Sequence, residues 1–141
     1  MTQSKSIIIK TIGDSLTEGN GRESVLGKNP RIPGQYQSWL YQSMIKKGFD
    51  VEVTNYGIGG QLIHEICGRM NVCVPANFIV TMGGTNNVWR YSGLGEEIYE
   101  DMFQEVWEQY TTAIPKAIAT QKKLNGENPI VLINAIPPIG D

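Results

Sequence analysis

The feature that most restricts this chain is Ile7-Ile8-Ile9-Lys10-Thr11-Ile12-Gly13, a short apolar run rich in β-branched residues and stopped by glycine. Its hydrophobicity is continuous rather than alternating, the pattern of a parallel strand whose sheet is covered on both faces. Asp14 and Ser15 follow at once. Whatever follows such a strand emerges at its carboxyl end, where open α/β sheets place their ligands. Ser15 is therefore offered on a tight turn at a sheet rim, a suitable place for a nucleophile. Gly-Asp-Ser is also ordinary turn chemistry, since glycine permits positive φ and Asp or Ser caps a following helix. On its own the tripeptide reads better as a capped turn. The rest of the chain decides.

Three more apolar runs follow, each after a helical pattern. Thr17 to Gly34, rich in glycine and proline, predicts a long loop leaving the Ser15 end of the sheet. Tyr36 to Lys47 predicts a helix with Tyr36, Trp39, Leu40 and Met44 on one stripe and Gly48 just past its end. Val51 to Tyr56 predicts a second strand, running into Asn55-Tyr56-Gly57-Ile58-Gly59-Gly60. Gln61 to Met70 predicts a short helix, apolar at Leu62, Ile63, Ile66 and Met70. Phe78 to Met82 is a third strand, ending in Gly83-Gly84-Thr85-Asn86-Asn87. A long helix carries Ile98, Met102, Val106, Tyr110 and Ile114 at four-residue spacing, and Pro115 is expected to kink or split it. Asn125-Gly126 ends that helix, and Ile130 to Ile133 is a fourth strand. The alternation β-α-β-α-β-α-β implies a parallel sheet with right-handed crossovers and helices on both faces. All four strands then aim their carboxyl ends at one rim.

Composition narrows the function. Lys and Arg number 12 against 14 Asp and Glu, which argues against nucleic-acid binding. Nothing in the sequence is apolar for long enough to span a membrane. Cys67 and Cys73 form neither a disulfide framework nor a paired metal signature. The first strand begins by Ile7, so no signal peptide is expected, and a reduced, cytoplasmic setting is the default.

Gly13-Asp14-Ser15-Leu16 after strand one, Asn55-x-Gly-x-Gly-Gly60 after strand two and Gly84-Thr85-Asn86-Asn87 after strand three resemble the SGNH (GDSL) hydrolase family. The motifs arrive in the family's order and cover nearly the whole chain. The resemblance implies a flavodoxin-like α/β/α sandwich and serine-nucleophile hydrolysis of carboxylic esters, of the esterase or lipase type. By it, Ser15 is the nucleophile, and the oxyanion hole comprises the Ser15 and Gly60 backbone N–H groups and the Asn86 carboxamide. The physics agrees, because fixed donors aimed at a developing oxyanion each contribute on the order of 3–4 kcal/mol. The implied partner is a small-molecule ester, acyl or acetylated sugar, and no metal or organic cofactor is implied. Trp89 and Tyr91, close behind Asn86, are candidates to flank the cleft, with the core as the equal alternative.

Two departures stand out. The family usually has Asp after the third-strand Asn, and Asn87 stands there instead. More severely, the family's Asp-x-x-His, the general base with its orienting acid, does not occur in this sequence. The one histidine is His64, on the polar side of its helix, and it reads as a surface residue. Without a base a serine hydroxyl is a weak nucleophile. In subtilisin, the reference case for such a loss, removing the histidine costs roughly 10⁶-fold in turnover. As given, the chain is expected to be nearly inert. The family's sheet has five strands against the four read here. The expectation is therefore a single domain over residues 1–141, C-terminally incomplete, whose fourth-strand edge invites self-association or a partner chain. The alternative is a binding module that kept the cleft and lost the base.

Overall fold

In the computed structural model, which describes residues 5–19, 35–91, 93 and 96–134, each apolar run becomes a strand. These are β1 (Ile7–Gly13), β2 (Val51–Gly57), β3 (Phe78–Met82) and β4 (Ile130–Ile133). All pair in parallel, in the order β2-β1-β3-β4. The helices are α1 (Ser15–Glu18), α2 (Tyr36–Lys46), α3 (Ile63–Gly68), α4 (Thr85–Tyr91) and α5 (Glu96–Asn125), with a 3-10 turn at Met70–Cys73. This is the expected α/β architecture, a flavodoxin-like parallel sheet between helices.

Strand alternation divides the apolar residues between two faces. Ile7, Ile9, Val51, Val53, Phe78 and Val80 meet Tyr36, Leu40, Tyr41 and Met44 of α2. Ile8, Ile12, Tyr56, Ile79 and Val131 meet Ile66 of α3 and Cys73 on the other face. Ile63, Cys67 and Met70 then join α3 and the 3-10 turn to Tyr110 and Ala117 of α5. Ile12, Val53, Ile63, Ile66 and Ile79 are wholly buried. Burying an aliphatic side chain of this size contributes about 1.5–3 kcal/mol. Gln121, also buried, fastens α5 to the segment before β3, where its carboxamide bonds both the N–H and the C=O of Ala76.

Several expectations need correction. Trp39 is 70% exposed, because the inward arc of α2 runs from Tyr36 through Leu40 and Met44 to Tyr41 and leaves Trp39 on the far side of Tyr36. The Gln61–Met70 helix is shorter than expected, and its last residue, Gly68, is followed by the 3-10 turn. Pro115 does not split α5, which runs unbroken through it. Pro115 lies on the exposed side, so the Thr111 carbonyl it deprives of a donor can face water. Thr17 and Glu18 belong to α1 rather than to a loop, and residues 20–34 and 135–141 lie outside the described residues. Among the described residues β4 pairs on one side only, with Ile130, Leu132 and Ile133 exposed by 54%, 48% and 52%.

Candidate active site

The Ser15 turn is held by polar side chains from below. Asp14 caps α1, its Oδ1 accepting from the Leu16 N–H at 3.0 Å. The Thr17 carbonyl accepts from Gln37 Nε2 and from Asn55 Nδ2, both at 2.7 Å. The Glu18 carbonyl accepts from Gln35 Nε2 at 2.9 Å. Asn55 also uses its Oδ1, which accepts from the Gly57 N–H at 2.8 Å. Gln37, Asn55 and Thr17 are fully buried, yet Ser15 itself is exposed. The frame is dry and the hydroxyl is open to a ligand. Glycine is required at position 57 because a Cβ there would collide with the backbone of Thr17 and Glu18.

The β2 turn comes up beside Ser15. A Cβ built on Gly59 would stand 3.6 Å from the Ser15 Cβ, and the Gly59 N–H donates to Glu18 Oε2 at 2.8 Å. Gly60 follows with φ +78, the left-handed region, and is exposed. Asn86, at the start of α4, donates from Nδ2 to the Gln61 carbonyl at 2.9 Å. A carboxamide carries two N–H groups, so this bond fixes the side chain and leaves a second donor. Asn87 is buried and its Oδ1 accepts from the Ile63 N–H at 2.9 Å, capping α3. Asparagine at this position thus keeps the acceptor that an aspartate would offer.

Arg69 ties the same turns together from the α3 side. Its Nε donates to Gln61 Oε1 at 2.7 Å, Nη1 to the Tyr56 carbonyl at 2.6 Å and Nη2 to the Gly13 carbonyl at 3.2 Å. Burial pulls the Arg69 guanidinium below its ordinary pKa. An arginine nonetheless stays charged in proteins.

Three titratable groups stand apart from the rim chemistry. Burial raises the Asp14 carboxyl above its ordinary 3.8, against the Leu16 hydrogen bond that lowers it, and its Oδ2 has no hydrogen-bond partner. Burial pushes the Cys67 thiol up to about 11 and the Cys73 thiol to about 12, so neither offers a thiolate at neutral pH. His64 is exposed on α3, as its sequence position predicts. Trp89 is 62% exposed, which removes it from the core. Among the described residues no group of three or more His, Cys, Asp or Glu gathers to hold a metal ion, and no helix is long and apolar enough to cross a membrane.

The sequence-derived trio is therefore brought to one rim. Ser15 lies against Gly59, Gly60 is the next residue, and Asn86 binds the carbonyl of the residue after that. Sequence reasoning missed Gln35, Gln37 and Arg69, whose bonds to this rim join residues 8 to 56 positions apart. Asn55 was visible only as part of a glycine-rich turn.

Comparison with known proteins follows this geometry. The profile described as GDSL-like Lipase/Acylhydrolase matches residues 9–140. Among curated proteins none matches. Solved structures do. Axe2, an acetylxylan esterase from Geobacillus stearothermophilus, is 17% identical with a TM-score of 0.60, over 94% of this chain and 61% of that one. AlinE4, an SGNH-hydrolase family esterase, is 19% identical with a TM-score of 0.52, over 79% of this chain and 56% of that one. The chain thus spans less than two thirds of the length of these structural neighbours.

Proposed function

Because the chain belongs to the GDSL-like lipase/acylhydrolase family, we propose that it carries the nucleophile and oxyanion hole of a carboxylic ester hydrolase. In this reading Ser15 Oγ attacks the ester carbonyl carbon. The oxyanion is received by the Ser15 N–H, the Gly60 N–H and the free N–H of Asn86. The alcohol leaves with the proton taken from Ser15, and water then hydrolyses the acyl-serine to the carboxylic acid. The observation that carries the proposal is the convergence of the three strand ends: Ser15 Cβ 3.6 Å from a Cβ position on Gly59, and the Asn86 amide on the Gln61 carbonyl. Preorganised donors of this kind act at the charge that develops in the transition state, and losing one typically lowers turnover by about 10²–10³-fold.

The sequence contains no Asp-x-x-His to take the proton from Ser15. We assign that role to an Asp-x-x-His segment delivered beyond Asp141 or by a partner chain along β4. The oxyanion hole alone leaves only about 10³–10⁴ over water. The substrate class is a small acyl ester or an acetylated sugar, and Axe2, an acetylxylan esterase, supports trying acetylated xylo-oligosaccharides beside p-nitrophenyl acetate.

A fluorophosphonate probe tests the reading. The expected result is labelling at Ser15 that Ser15→Ala abolishes, fast when the Asp-x-x-His segment is present and slow without it. No labelling of a chain that contains both segments overturns it. A second reading, a binding module with an inherited cleft, draws on the exposed position of the single histidine, His64. It predicts saturable binding of an acetylated oligosaccharide with no turnover under any complementation.

A further inference from the structure

The esterase reading uses Ser15, Gly60 and Asn86 and leaves Arg69 without a task. Its guanidinium is partly withdrawn from water, and its three hydrogen bonds among the described residues all go to uncharged oxygens. Those oxygens belong to three segments: Gly13 at the end of β1, Tyr56 near the end of β2, and Gln61 between the Gly60 turn and α3.

These segments are the ones that set the three oxyanion donors. Gly13 lies two residues before Ser15, and its carbonyl also accepts from the Ile58 N–H at 2.9 Å. Tyr56 opens the turn that ends at Gly60. Gln61 follows Gly60, and its main-chain carbonyl is the acceptor that holds Asn86 Nδ2. Each donor is thus within two residues, or one hydrogen bond, of a group that Arg69 grips. We propose that Arg69 is a positioning residue that locks the Ser15 turn, the Gly60 turn and Asn86 into one spacing, so that the three donors meet one oxygen atom.

The residue type fits the task. Arginine offers five N–H donors in a rigid planar fork, and one such plane can reach three acceptors along two of its edges. A lysine at the same place brings a point charge on a flexible stem and cannot span all three. The catalytic consequence rests on the esterase reading; the mechanical one does not. Misplacing reacting groups by about 1 Å costs on the order of 10²-fold in rate.

The experiment uses Arg69→Met and Arg69→Lys in the full protein with two readouts. Native-state amide exchange follows the Ile58 N–H, with Ile9 of the inner strand β1 as the internal reference. Steady-state kinetics follow p-nitrophenyl acetate. In Arg69→Met the Ile58 amide is expected to exchange at least about tenfold faster with Ile9 unchanged, and kcat to fall about 10²-fold with KM within about threefold. Arg69→Lys is expected to regain part of both. Should Arg69→Met fail to fold, Gln61→Leu removes only the Nε acceptor and is expected to shift both readouts in the same direction by less. Unchanged Ile58 exchange overturns the proposal whatever happens to kcat. Faster Ile58 exchange in a protein whose parent turns over no ester supports the lock and overturns the esterase reading instead.

Discussion

At the β1–β2 rim, buried carboxamides and one arginine take up the carbonyls around Ser15: Asn55, Gln37 and Gln35 on one side, Arg69 on the other. Around β4 the materials are the reverse. Ile130, Leu132 and Ile133 are exposed, and Ile133 with Phe103, Trp107 and Tyr110 of α5 lines an apolar groove of about 590 Å³. The first region has its carbonyls taken up and its turns tied together, with Asp14 Oδ2, Gln35 Oε1 and Gln37 Oε1 left as buried oxygens without a partner among the described residues. The second has hydrophobic surface that water still touches. Polar ties are concentrated at the Ser15 rim, while the β4 side keeps apolar surface exposed. Edge strands of this kind are ready templates for pairing.

Four substitutions sharpen the contrast, from the largest effect down. Asn86→Ala removes a proposed oxyanion donor and is expected to lower kcat by about 10²–10³-fold, with thermal stability nearly unchanged, in a steady-state ester assay of the complemented protein. Asn55→Leu leaves the Thr17 carbonyl without one of its partners and the Gly57 N–H with none from Asn55. Urea unfolding should register a loss of about 2–4 kcal/mol, since stranding the Gly57 N–H costs about 1–3 kcal/mol and the Thr17 carbonyl, still held by Gln37, loses one bond of about 1 kcal/mol.

Asp14→Asn tests the electrostatics beneath Ser15. The Asp14 carboxyl has a raised pKa when folded, so the folded state binds its proton more tightly than the unfolded chain does. Its ionisation therefore lowers stability as pH rises from about 3.8, the unfolded value, through the folded one, and acid restores it. Asparagine keeps an acceptor for the Leu16 N–H, and the urea midpoint of the variant is expected to lose that part of its pH slope. Leu132→Lys, on the β4 edge, should change stability by no more than about 0.5 kcal/mol, as exposed sites do. Sedimentation velocity should show it associating less than the parent protein. Unchanged association would mean that this edge is not where copies meet.

The contrast also explains what could be read in advance. The strands were legible because a buried parallel sheet writes itself as continuous apolar runs, and Ile130–Ile133 and Phe78–Met82 have the bounds expected of them. The end of α2 was legible from Gly48, which takes φ +84 after the Lys47 cap. That Ser15, Gly60 and Asn86 would meet at one rim was legible from motifs at strand ends. The polar mesh was not, because a glutamine or arginine carries no local mark telling which distant carbonyl it will meet. Trp39 misled for a related reason: it borders the apolar stripe in sequence spacing, and only the position of the sheet decides which side of Tyr36 faces inward.

The placing of β1 beside β3 carries a consequence for how such a protein diversifies. Ser15 and Asn86 follow adjacent strands whose ladder runs in register from Ile9–Phe78 to Gly13–Met82. The coarse interval between the two is thus inherited from the main-chain spacing of a sheet, about 4.8 Å from strand to strand, and side chains such as Arg69 act on what remains. Every loop around the rim can be rewritten while the backbone keeps the same ruler between Ser15 and Asn86.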